Sequence, residues 1–349
     1  MNERYTRCLG AVKRLCGVEV LRVWFERGLP PDVASMLVGS AEPIGPRPGS
    51  GPLSDDGIAY AHAVIASSLL TYDGALMDRA TELLVIARTG IGYDKIDVAA
   101  ATARGIAVCN APDAPTRSTA EHAIALLLAV AKQVPQAQAS LRRGDRGCFA
   151  AHNGIEIAGR TIGVVGLGRI GATVARLAAA IGMEVVGFDP YAETVPEGIS
   201  RIDTLDHLLR HADVVSLHLP LTGSTAGLLD AAAFRRMKRG AILINTARGG
   251  LVDQNALLAA ISDGKLFGAG LDVTTPDPLP ADHPLLAAEN VIVTPHVAAA
   301  TGAGKARLYS SAVSQALQVL GGERPPHLVN PEVWPVRRPD LSEKQRGDV

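Results

Sequence analysis

One stretch limits what this chain can become more than any other: "IGVVGLGRIGATVARLAAAIGMEVVGFDPY", residues 162–191. It reads as a strand, a turn carrying Gly166, Gly168 and Gly171 in the pattern G-x-G-x-x-G, a helix, and a second strand ending at Asp189. A glycine triplet alone is weak evidence. Here the glycines fall between strand and helix, and Asp189 stands 18 residues beyond Gly171, the context of a dinucleotide site. Gly166 permits the tight turn, Gly168 lets a pyrophosphate approach the backbone, and Gly171 lets helix pack close to strand. The phosphates then meet the helix N-terminus, whose unpaired N–H groups favour anions. Asp189 hydrogen-bonds the adenosine ribose hydroxyls and repels a 2′-phosphate, so NAD is the expected cofactor and is favoured over NADP. A glycine turn with no ligand is the competing reading, and it leaves the coincidence of these features unexplained.

The rest of the chain repeats the alternation of apolar run and helical pattern that marks parallel βαβ units. A first series holds "VEVLRVWF" (18–25), "HAVIAS" (62–67), "LLVIA" (83–87) and "GIAVCN" (105–110), interrupted by a Gly/Pro-rich stretch at 39–57 that reads as a surface loop. A second, denser series holds runs at 162–166, 183–188, 213–219, 241–245, 266–271 and 291–294. Six strands with crossover helices predict a doubly wound sheet. Ser118 with Glu121 reads as a capping box opening the helix that leads into it. "GAGKARLYSSAVSQALQVLGG" (302–322) predicts one more helix. At 349 residues, two domains are the expectation, and with aromatics at only 4% their cores must be built from Ala, Val, Leu and Ile.

Charge narrows the partners. The net charge is −1 with both signs spread along the chain, so no electrostatic footprint for nucleic acid or an anionic membrane is present. The apolar run Ala123–Ala131 is about half of the ~20 residues a membrane span needs, and the N-terminus lacks the apolar stretch of a signal peptide. Cys8, Cys16, Cys109 and Cys148 form no C-x-x-C pair, which suits a reducing cytoplasm and reads as small apolar residues. No metal site is expected.

Three later stretches follow strands of the second series and so belong to the carboxyl edge, where open parallel sheets bind ligands. "NTARGGLVD" (245–253) carries Arg248, "LDVTTPDPLP" (271–280) carries Asp277, and "TPHVAAAT" (294–301) carries His296. Reducing a ketone by hydride transfer needs a proton donor, a cation for the substrate and a group to tune the donor. His titrates near neutrality, and Arg grips a carboxylate with two parallel hydrogen bonds. Singly, the three read as a surface charge, a turn former and a core histidine. Together, at successive strand ends beside a nucleotide motif, they read as a catalytic set.

From about residue 18 to about residue 333 the chain resembles the D-isomer-specific 2-hydroxyacid dehydrogenase family. The resemblance is carried by "GLGRIG", "NTARGGLVD", "GAGLDV" and "TPH" in order, and by "RTGIGYDKID" (88–97) as a substrate loop. It implies an α/β fold of two Rossmann-like domains, with the NAD-binding domain (115–298) inserted in a flavodoxin-like substrate domain made of 1–114 and 299–349. It implies that Arg248 binds substrate, that His296 is the acid/base partnered by the acidic residue before it, and that N–H groups of Ile91 and Gly92 hold the substrate carboxylate. Cofactor contacts implied are Arg169, Ile170 and Asp189 on the adenosine side, Pro220 and Thr225 near the adenine, and Thr246, Ala247 and Asp272 near the nicotinamide. A homodimer is implied as well. Asp277 departs from the family, which mostly carries Glu there; the side chain is shorter by ~1.5 Å, so backbone or a water must make up the reach to His296.

The stretch 110–129 is similar to glyoxylate/hydroxypyruvate reductases, whereas phosphoglycerate dehydrogenases tend to carry an Arg in the loop that here reads "ASSLLTYDG" (66–74). With Ser67, Ser68, Leu69 and Leu70 in that loop, a small unphosphorylated 2-oxo acid is the expected substrate, unless Arg47 reaches in from the 39–57 loop. The alternatives are a phosphoglycerate dehydrogenase and an NAD-sensing corepressor-like scaffold with little turnover. The chain ends soon after this region, so no C-terminal regulatory domain is expected.

Overall fold

The computed structural model describes residues 20–338 apart from 29–30, 46–56, 68, 146, 148–149 and 151. Arg47, Ser68, Cys8, Cys16 and Cys148 therefore lie outside the described residues. The chain divides into two compact units, Met1–Pro115 with Gly302–Val349, and Thr116–Thr301. The crossings fall at 115/116 and 301/302, where the sequence places them at 114/115 and 298/299.

The first unit is a five-stranded parallel sheet of β1 (Arg22–Phe25), β2 (Glu42–Ile44), β3 (Ala63–Ala66), β4 (Val85–Arg88) and β5 (Ala107–Cys109). Its order, β2-β1-β3-β4-β5, is that of flavodoxin-like folds. Every residue of β3 is buried, because helices cover both faces of such a sheet and no side is left for polar residues. Strand β2 lies inside the stretch expected to be loop. Proline hides it from sequence reasoning, yet Pro43 pairs in register with Val23, since β2 is at the sheet edge and its outer side needs no N–H. The helix Gly302–Leu320 returns to this unit and places Ala312, Val313, Ala316 and Val319 in one core with Val23, Val85 and Cys109.

The second unit is a seven-stranded parallel sheet: β6 (Thr161–Val165), β7 (Glu184–Phe188), β8 (Ser200–Arg201), β9 (Val214–Leu217), β10 (Ala241–Asn245), β11 (Leu266–Leu271) and β12 (Val291–Val293). The order is β12-β11-β10-β9-β6-β7-β8, so the chain reverses direction across the sheet between β6 and β9. Alternate strand residues feed two cores. Ile162, Val164, Ile242 and Ile244 pack with Ala123, Leu127 and Val174 of the helices Thr116–Ala131 and Arg169–Ala180. Val165, Val215, Leu243 and Leu271 pack with Leu208, Phe234 and Leu257 of the helices on the other face. The unexpected seventh strand, β8, is two exposed polar residues, too short for any hydrophobic period.

The capping box does not form. The helix already begins at Thr116, which puts Ser118 inside it; the Ser118 hydroxyl is 2.9 Å from that of Thr301, and Glu121 is exposed. Among the described residues no helix is long and apolar enough to cross a membrane. Cys109 is buried and unpaired by disulfide, and burial pushes its thiol up to about 12.

Candidate active site

Because all seven strands of the second unit run parallel, the turns after β6, β7, β9, β10, β11 and β12 share one edge. That edge collects the residues singled out in the sequence. After β6, Gly166 has φ +90°, and a Cβ on Gly171 would stand 1.9 Å from the Gly166 carbonyl oxygen. No side chain fits in that contact, so the turn can be followed by a helix only with glycine at 171. Gly168, the residue capping the helix Arg169–Ala180, is different: a Cβ there would meet nothing within 4 Å. The protein's own packing does not require glycine at 168, while a ligand lying on the helix N-terminus would. Arg169 and Ile170 form the first turn of that helix.

Asp189 ends β7 beside the turn. Its carboxylate accepts the N–H groups of Leu167 and Tyr191, each at 2.9 Å, one on each oxygen. Each oxygen keeps a second lone pair for a ribose hydroxyl. After β9, Thr225 donates its hydroxyl to the Pro220 carbonyl oxygen at 2.8 Å, so the two residues expected near an adenine ring do lie together. The buried Thr246 hydroxyl after β10 has no partner among the described residues. An unsatisfied polar atom costs about 1–3 kcal/mol when buried, unless a ligand completes it. Open space at Gly168, spare acceptors on Asp189 and the unpaired Thr246 hydroxyl together fit a dinucleotide, with Ala247 next in the same turn.

Arg248 follows on that turn, half-buried, with its Nη1 donating to the Ala247 carbonyl oxygen at 2.7 Å. Asn245, which the sequence analysis passed over, braces the turn: its side-chain oxygen accepts the Ala247 N–H and its Nδ2 donates to the Arg248 carbonyl oxygen. A Cβ on Gly249 would stand 2.1 Å from the Thr274 backbone, so this turn is pressed against the segment that leads to Asp277. Gln254 braces that segment in turn, accepting the Thr275 N–H and donating to the Thr275 carbonyl oxygen.

Asp277 reaches His296 directly, with Oδ2 2.6 Å from Nδ1. Neither a longer side chain nor a water is needed; the backbone of 274–277 supplies the reach. With Nδ1 held by a carboxylate that only accepts, Nδ1 carries a proton and Nε2 is the nitrogen left for chemistry. The histidine is also strained, at φ +55°, a conformation that costs a non-glycine residue about 1–2 kcal/mol. Its N–H bonds to the carbonyl oxygens of Asp272 and Thr294 hold it there, both at 2.9 Å.

Asp272 is fully buried. It accepts the Thr294 hydroxyl at 2.6 Å and the N–H groups of Val297 and Ala298 at 2.9 and 2.8 Å, with His122 Nε2 at 3.4 Å. Burial pushes its carboxyl up, but the hydrogen bonds from His122, Thr294, Val297 and Ala298 outweigh it and hold the group below the usual carboxylate range. Asp272 is thus an anion that holds the Thr294 side chain before His296 and the backbone of 297 and 298 after it. The resemblance marks Asp272 as a cofactor contact; Thr294 and His122 lie inside singled-out stretches, but no pattern there assigns either of them a role.

Ile91 and Gly92 belong to the first unit. Neither backbone N–H makes a hydrogen bond among the described residues, while Ile91 accepts from Asn110 Nδ2 at 2.9 Å through its carbonyl. No cluster able to hold a metal ion occurs among the described residues.

The geometry agrees with what known proteins resemble. Residues 124–298 match the family model described as D-isomer specific 2-hydroxyacid dehydrogenase, NAD binding domain. A D-3-phosphoglycerate dehydrogenase from Mycobacterium bovis is 46% identical over 278 residues, 78% of this chain but 52% of that protein, so the chain spans about half the length of such relatives. A glyoxylate reductase from Korarchaeum cryptofilum is 43% identical over 78% of this chain and 84% of its own. The crystal structure of an NADPH-dependent glyoxylate/hydroxypyruvate reductase from Sinorhizobium meliloti superposes with a TM-score of 0.79 at 30% identity, covering 91% of this chain and all of the other.

Proposed function

The chain belongs to the D-isomer specific 2-hydroxyacid dehydrogenase family, and from that premise we propose that it is an NAD-dependent oxidoreductase interconverting a small 2-oxo acid and its D-2-hydroxy acid. The observation that carries this reading is the 2.6 Å contact between His296 Nδ1 and Asp277. It leaves Nε2 to give a proton to the substrate oxygen during reduction and to take it back during oxidation. Arg248 binds the substrate carboxylate and polarises the carbonyl, and the N–H groups of Ile91 and Gly92 supply further donors for the carboxylate. NADH, when bound, supplies the hydride. Gly166, Gly168, Arg169, Ile170, Gly171, Asp189, Pro220, Thr225, Thr246 and Ala247 hold it, with Asp272 near the nicotinamide, and the Asp189 carboxylate favours NAD over NADP. The same reading places the protein in the cytoplasm as a homodimer. In its support, the helix Val134–Arg142 buries none of its residues in this chain and exposes Val134 and Leu141, seven positions apart on one face.

Glyoxylate or hydroxypyruvate is the substrate favoured by the unphosphorylated reading, but the structure weakens one reason for it. The loop after β3 does have a cation beside it: Arg27, from the end of β1, donates through Nε to the Ser67 hydroxyl at 3.2 Å. Arg88, at the end of β4, donates to the Ala66 carbonyl oxygen and the Thr89 hydroxyl. A second reading, reduction of 3-phosphohydroxypyruvate, rests on Arg27. Steady-state kinetics with glyoxylate, hydroxypyruvate and 3-phosphohydroxypyruvate, each with NADH and NADPH, separates the two. The first reading expects higher kcat/KM for the unphosphorylated acids and for NADH. A preference for the phosphorylated acid that disappears in Arg27→Ala establishes the second, and absence of turnover with every 2-oxo acid removes both in favour of an NAD-sensing scaffold.

A further inference from the structure

His122 lies on the helix Thr116–Ala131, outside the catalytic and nucleotide motifs, yet it ends a chain of contacts that leads to His296. Its Nε2 is 3.0 Å from the Thr294 hydroxyl, and that hydroxyl is 2.6 Å from Asp272 Oδ1. A threonine hydroxyl has one proton, and a carboxylate can only accept. Thr294 therefore donates to Asp272 and must accept from His122, which fixes the proton of His122 on Nε2. Asp272 in turn accepts the N–H groups of Val297 and Ala298, the two residues after His296, and its own carbonyl oxygen accepts the His296 N–H.

We propose that His122 is a positioning residue for His296, acting on the Asp272 carboxylate, which its Nε2–H faces through the Thr294 hydroxyl and at 3.4 Å directly. The proposal rests on the reading of His296 as the acid/base. Its physical content is that Asp272 has to hold two N–H groups with its oxygens at fixed places, and Thr294 keeps Oδ1 in place only while its own proton points there. Without the Nε2–H donor the hydroxyl and Oδ1 both lose a neighbour that fixes their place, and the segment that holds His296 in its left-handed conformation loosens. Misplacement of a reacting group by about 1 Å can cost on the order of 100-fold in rate.

The test compares His122→Leu, which removes the donor, with His122→Gln, whose terminal amide keeps an N–H near the Nε2 position. With saturating NADH, kcat for 2-oxo acid reduction should fall about 10-fold or more in His122→Leu and recover in His122→Gln, while the NADH Kd and melting temperature stay near their original values. Thr294→Val removes the hydroxyl between them, and both changes act on Asp272, so the double variant His122→Leu/Thr294→Val should lose clearly less than the product of the single losses. Multiplying losses, or a His122→Gln as slow as His122→Leu, would overturn the proposal. The imidazole NMR signals of His296 give a readout apart from turnover: they should shift or broaden in His122→Leu and not in His122→Gln, and signals unmoved in both variants sink the relay. His296→Ala serves as the control. If it keeps full turnover, the acid/base reading has failed, and the NMR comparison still decides whether His122 positions residue 296.

Discussion

At the scale of single residues, the pair Asp277 and His296 shows how far chemistry could be read from a string of letters. Residue type and position after a strand were enough to nominate both, but the sequence made Asp277 look too short. The backbone of 274–277 brings the carboxylate to 2.6 Å, something no side-chain length reveals. Reduction needs the His296 ring held with Nε2 available to the substrate oxygen. Asp277→Asn replaces the anion at Nδ1 with a neutral amide, the ring loses the partner that orients it, and kcat/KM for reduction should fall. Since the side chains are 47% and 31% exposed, solvent screens the pair, and a loss of up to about 10-fold by steady-state kinetics is expected. Asp277→Glu should not improve on the native residue, because the contact is already direct. Full activity in Asp277→Asn would reduce Asp277 to a turn former.

At the scale of elements, periodicity found what is apolar and missed what is held by backbone pairing alone. The buried strands were legible because burial on both faces demands continuous apolar runs. The edge strand β2 with Pro43 and the polar β8 carry no such run. Helix starts were legible less well, for the Ser118 pattern is met by a helix that opens two residues earlier and uses the serine against Thr301. The helix Val134–Arg142 bears the element-scale prediction. Val134 and Leu141 are 53% and 66% exposed, and a second copy of the chain is the proposed cover. Sedimentation should give the mass of two chains, and the double substitution Val134→Lys/Leu141→Glu should give one. A native protein that sediments as a single chain rejects the dimer.

At the scale of the whole molecule, each unit has its own cores, and their chain connectivity differs. The second unit is one continuous segment, Thr116–Thr301, with both of its cores internal to it. A fragment 116–301 should fold cooperatively and bind NADH while failing to reduce a 2-oxo acid. The first unit draws its core from both ends of the chain, so a fragment 20–115, lacking Ala312, Val313, Ala316 and Val319, should stay unfolded. Cooperative melting of the shorter fragment, or none in the longer, contradicts this division. The sequence by itself determined the α/β class, the parallel sheets, the glycine turn and the residue types at the strand ends, because these depend on local sterics and on periods of a few residues. Tertiary structure alone decided that Asp277 reaches His296, that Arg27 stands beside Ser67, and that His122 and Thr294 join Asp272. Those contacts pair residues between 19 and 172 positions apart. They depend on sheet order and on which face each helix covers, and spacing along the chain carries neither.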